Sequence, residues 1–167
     1  MILKKQPAKK PALPSNANTQ EEKARAYAFL LLKFRLRSEN ELKTRLKQKG
    51  FSPDLAEATV GFLKEREFID DRVFAKGWVA SRLKRPLGLR KIRQELAQKG
   101  LDKEVIQSVL NQAKEGYDES QIVSRLAEQK FAKLKNIELL KAKARVYGYL
   151  VRRGFSPDVV SDILNKH

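Results

Sequence analysis

The densest chemistry in the sequence is a run of cations between residues 82 and 93. Arg82, Lys84, Arg85, Arg90, Lys91 and Arg93 fall there without one acidic residue among them. Arginine presents a planar fork of donors that matches phosphate or carboxylate oxygens, and lysine adds a point charge. The predicted chemistry is therefore anion binding. Gly88 reads as the N-cap of a helix, which places Arg90 and Lys91 at its second and third positions. Cations at that end oppose the helix dipole by a few tenths of a kcal/mol each, about 0.3 or more. Free N–H groups at the same end already suit an anion. Most charge runs are plain solvated faces. This one works against its own helix without evident compensation, and the balance tips toward binding.

Other chemistries lack their residues. Cysteine is absent and the only histidine is the last residue, His167, so a Ser-His-Asp triad or a zinc site of ordinary ligands cannot be assembled. No GxxxxGK[ST] or GxGxxG loop is present to hold a nucleotide. The adjacent acids Asp70 and Asp71 have no third ligand type nearby and read as a helix cap with a dipole partner. No metal, no cofactor and no enzymatic activity are expected. The longest apolar run, Ala26 to Leu32, is far too short to cross a bilayer. A signal-peptide pattern is missing near the start, and the protein is expected to be cytoplasmic with no membrane partner. Tyr147 and Tyr149 stand two apart, facing different directions on a helix, and offer no stacking platform for single strands.

Across the 167 residues, Lys and Arg exceed Asp and Glu by 16, and the pI is about 10.1. Residues 1–19 contribute +4 and read as a disordered basic tail containing Pro7, Pro11 and Pro14. Segments 20–69, 70–116 and 117–167 contribute +3, +5 and +4. Three quarters of the excess belongs to the folded body.

That body repeats. Three segments align on Gly50, Gly100 and Gly154. Leu46, Leu96 and Leu150 stand four residues before the glycines, and Phe51, Leu101 and Phe155 immediately follow them. A glycine in left-handed conformation commonly ends a helix, and the next residue packs back onto the last turn. Ser52, Asp102 and Ser156 then serve as N-caps of the following helix, and Pro53 and Pro157 fall at its first position. The three glycines with Phe51, Leu101 and Phe155 are thus read as structural joints rather than active-site parts. A third helix precedes each joint. Ala24–Arg37 carries an apolar face of Ala24, Tyr27, Ala28, Leu31 and Phe34, and Ser38 with Glu41 forms a capping box. Asp70 caps another helix, with Ile69 and Phe74 at staple positions, and Asp118–Phe131 opens the last unit. Acids mark most helix starts, including Glu21-Glu22. The predicted fold is all-α, with repeats over 20–69, 70–116 and 117–167.

The stretches Arg37-Ser38-Glu39-Asn40-Glu41-Leu42 to Lys49-Gly50-Phe51, Phe68-Ile69-Asp70-Asp71, Ile92-Arg93-Gln94-Glu95-Leu96 to Lys99-Gly100, and Leu150-Val151-Arg152-Arg153-Gly154-Phe155 resemble the bacterial RecX regulatory proteins. The resemblance runs from about Ala24 to Lys166 and is poorest from Gly116 to Asn136. It implies an elongated, curved array of three tandem three-helix, helix-turn-helix-like repeats. It further implies binding to the RecA filament on single-stranded DNA, while an array of such repeats is by itself expected to be a monomer. Such proteins suppress RecA's ATPase, recombinase and co-protease activities in homologous recombination, DNA repair and the SOS response. The basic set of Arg82 to Arg93, with Arg152 and Arg153 at the matching joint of the third repeat, is the expected partner surface. A direct, sequence-nonspecific DNA binder built from the same repeats is the alternative.

Overall fold

Turn chemistry sets the helix boundaries. The computed structural model describes residues 16–166. Among these are the helices α1 (Asn16–Phe34), α2 (Glu39–Lys49), α3 (Pro53–Glu65), α4 (Asp71–Leu83), α5 (Leu89–Gln98), α6 (Lys103–Lys114), α7 (Glu119–Phe131), α8 (Leu139–Arg152) and α9 (Pro157–Asn165), with no strand. The three aligned glycines adopt φ of +103°, +76° and +89°. At each, two backbone bonds close the helix end. Gly50 N–H donates to Lys47 O and Phe51 N–H to Leu46 O; Gly100 and Leu101 repeat this on Ala97 and Leu96, and Gly154 and Phe155 on Val151 and Leu150. This is the predicted left-handed joint, formed three times.

Every substantial helix packing lies within one triplet: α1–α3, α4–α6 or α7–α9. Each triplet has its own core. Leu42, Leu46, Val60 and Leu63 centre the first, Ile92, Leu96 and Leu110 the second, and Val146, Leu150, Phe155 and Val160 the third. Ser38 caps α2 with the reciprocal bonds of a capping box, Asp70 caps α4 by accepting from Arg72 and Val73 N–H, and Asp118 caps α7.

Several expectations need correction. Helix α1 starts at Asn16, so residues 16–19, assigned from sequence to the tail, are helical and Glu21-Glu22 lie beyond the first turn. Residues 1–15 of that expected tail, and His167, lie outside the described residues. Phe34 is 76% exposed rather than part of the core, because α1 ends there and no neighbouring helix covers it. Ile69 buries in the first core and Phe74 in the second, so the staple positions serve different repeats. Ser52 caps α3 through its side chain, whereas Asp102 and Ser156 occupy cap positions without a side-chain bond.

Candidate functional site

The cationic run meets the third repeat end to end. Gly88 N–H donates to Arg153 O at 3.0 Å, and Arg90 N–H donates to Gly154 O at 3.2 Å. The free donors at the start of α5 are thereby matched to free acceptors at the end of α8. This corrects the expectation of an open anion site at that helix start. It also supplies the missing compensation: the negative end of the α8 dipole lies against the first turn that carries Arg90 and Lys91. The approach is backbone to backbone. A Cβ on Gly88 would overlap the Gly154 carbonyl, and one on Gly154 would overlap Lys91 N and Cα. Gly154 is glycine for this contact as well as for its left-handed turn, whereas Gly88, with φ of −72°, is glycine for the contact alone. Tyr117 fastens the loop, its hydroxyl donating to Leu87 O at 2.9 Å. Burial, reinforced by nearby Glu119, pushes that phenol's pKa upward.

Within the cationic set, the structure separates tied groups from open ones. Arg82 Nε lies 2.6 Å from a Glu95 carboxylate oxygen, with the guanidinium 4.3 Å from the Trp78 ring centroid; Trp78 Nε1 donates to the same carboxylate. Arg93 donates to Gln107, half-buried Lys91 reaches Gln94, and Arg153 donates to the Tyr149 hydroxyl over that residue's ring. Lys84, Arg85, Arg90 and Arg152 are exposed, with no carboxylate partner among the described residues. Lys84 and Arg85 line a cleft of about 460 Å³ with Tyr117 and Arg125. Sequence reasoning missed Arg125, which has no local pattern to flag it. Backbone contact joins the start of α5 to the end of α8, bringing the segments of Arg90 and Lys91 to those of Arg152 and Arg153.

The first and second repeats meet in the same way with different side chains. Ser38 Oγ donates to Lys99 O at 2.8 Å while accepting from Glu41 N–H. Glu39 N–H donates to Asp71 Oδ1 at 2.9 Å. Lys99 Nζ lies 2.6 Å from Glu41 Oε1 and 4.2 Å from the Trp78 ring centroid, and Arg35 grips Glu41 through both oxygens. Burial alone would raise the Glu41 pKa; hydrogen bonds from Arg35 and Lys99 outweigh it and hold the carboxyl at about 2. Asp71 moves the other way, raised chiefly by burial despite the Glu39 N–H. The Asp70–Asp71 pair is thus a cap plus an inter-repeat acceptor, and no acidic or histidine cluster able to hold a metal occurs among the described residues. Gly100 faces Asn40 of the first repeat, whose side-chain atoms lie 2.5 Å from where a Cβ would stand.

Sequence reasoning also missed apolar residues left on the surface. Phe29, Leu30, Phe34, Leu36 and Phe68 are all exposed, and Phe29 meets Phe68 edge-on at 4.9 Å. Such exposure around one helix marks a surface able to contact a partner.

Family models for the first, second and third three-helix domains of RecX match residues 24–63, 70–110 and 117–164. A regulatory protein RecX of Chlorobium limicola is 30% identical, the match covering 90% of this chain and 92% of the relative. One of Mycobacterium sp. (strain JLS) is 35% identical over 90% and 85%. A crystal structure of regulatory protein RecX superposes with a TM-score of 0.76 at 25% identity, covering 87% of this chain and 72% of the other. That of RecX from Lactobacillus salivarius gives 0.75 at 20% identity, covering 89% and 97%, and supports the fold alone.

Proposed function

The chain belongs to the RecX family of regulatory proteins, and on that premise we propose that it binds the RecA filament on single-stranded DNA and inhibits the recombinase. Suppression of ATPase, strand exchange and co-protease activity in recombination, repair and the SOS response follows from that binding. The observation carrying the reading is that four of the cations singled out in the sequence, Lys84, Arg85, Arg90 and Arg152, are exposed without a carboxylate partner among the described residues. Their charge complements an acidic nucleoprotein surface and speeds encounter. The exposed apolar residues of α1 are the part of the surface suited to slowing dissociation. The role is regulatory and cytoplasmic, without catalysis. Among the described residues no helix is long and apolar enough to cross a membrane.

The same cations suit bare phosphates, so direct DNA binding is the competing reading. A titration of RecA's DNA-dependent ATPase separates them. Inhibition well below one molecule per RecA, at a concentration and salt that give no complex with DNA alone, supports the filament regulator. Inhibition abolished by excess competitor DNA, with equal binding to naked DNA, refutes it.

A further inference from the structure

The turns ending α2, α5 and α8 share one form: a left-handed glycine, two closing backbone bonds, and a cation immediately before the glycine. Two of them hold the start of another helix. Lys99 O accepts from Ser38 Oγ, and Arg153 O accepts from Gly88 N–H. The third is open. Lys49 O accepts no hydrogen bond among the described residues, and nothing lies within 4 Å of the position of a Gly50 Cβ. Lys99 pairs with Glu41, the third residue of the helix docked on it. Among the described residues Lys49 has no carboxylate partner, and it rests 5.5 Å from the Tyr27 ring centroid.

We propose that the α2–α3 turn is a socket for the first turn of a helix in a partner protein, one with serine at the N-cap and glutamate at the third position. The chemistry follows from the occupied turn it most resembles. Its lysine is the same residue type as Lys99, and the helix docked on Lys99 carries Ser38 and Glu41. The Arg153 turn, by contrast, receives Gly88 and Lys91, and its guanidinium turns aside to Tyr149. The partner's serine would donate to Lys49 O, and its glutamate would meet Lys49 Nζ. A second copy of this chain does not supply such a helix. Among the described helix starts, only Ser38–Glu41 forms a capping box, and it is already docked at Gly100. This surface stands whether or not the partner is the filament.

The probe is a side-chain-stapled helical peptide copying residues 37–49, added at millimolar concentration to the isotopically labelled full chain and followed by amide NMR. The expected result is a saturable shift at Gly50 and Phe51. Lys49→Glu, an exposed position, weakens the interaction by about tenfold or more, and a peptide with Glu41→Lys restores it to that variant. The proposal is overturned by no shift at Gly50, by shifts indifferent to Lys49→Glu, or by shifts only around Gly100 as the peptide displaces α2. Shifts at Gly50 that grow with protein concentration, without peptide, overturn it in favour of self-association.

Discussion

Substituting alanine at each repeat glycine separates the turn from the joint. All three have positive φ, where a Cβ costs about 1 kcal/mol. At Gly50 nothing else is met, so Gly50→Ala is expected to lose about 1 kcal/mol in urea unfolding. At Gly100 the new methyl meets Asn40, whose Cβ must shift, and the loss rises to about 2 kcal/mol. At Gly154 it meets the backbone of Lys91, which α5 holds fixed, and the two hydrogen bonds to Gly88 and Arg90 open as well. The loss there is expected to reach about 3 kcal/mol or more. Hydrogen exchange locates the damage. Gly154→Ala should speed exchange at Gly88 and Arg90, in the other repeat, whereas Gly50→Ala should leave all inter-repeat amides protected. Equal destabilisation at the three positions would refute the claim that two of these turns also hold neighbouring repeats together.

Glu41 gives the joint between repeats one and two a pH signature. Its folded pKa of about 2 lies below the ordinary 4.5. Its contribution is therefore complete above 4.5 and disappears as pH falls from there through 2. The gap amounts to about 3 kcal/mol, and Glu41→Gln should flatten that part of the acid-unfolding curve; an unchanged curve contradicts the assigned bonds. Tyr117→Phe removes the donor to Leu87 O and should destabilise by about 1 kcal/mol, with faster exchange over residues 84–91. Arg90→Glu with Arg152→Glu should weaken partner binding more than tenfold in a pull-down on RecA-coated DNA, while melting changes little because both side chains are exposed. A large drop in melting temperature would make these cations structural instead.

The joints were legible because their information is local. Glycine, the apolar residue after it and the leucine four before it lie within six residues, and backbone geometry does the rest. Contacts between repeats were not legible. Ser38 and Lys99 are 61 residues apart, and nothing in either neighbourhood announces that a hydroxyl will meet that carbonyl. The same blindness shaped the reading of Arg90 and Lys91. Cations at a helix start are anomalous in sequence, but the compensating α8 terminus lies about sixty residues away. Arg82 looked equivalent to its neighbours in sequence, and only packing shows it bound to Glu95 and Trp78. Phe34 failed for the opposite reason: helical periodicity put it on a buried face that ends one turn too soon.

We propose that the partner is a protein-coated strand rather than DNA itself. Fluorescence anisotropy on one labelled oligonucleotide, bare or coated with RecA in the presence of a non-hydrolysable ATP analogue, tests it at a single salt concentration. Binding to the coated strand is expected at concentrations that leave the bare strand unbound, with the preference reduced by Arg90→Glu and Arg152→Glu. Equal affinity for the two, or tighter binding to the bare strand, would contradict it.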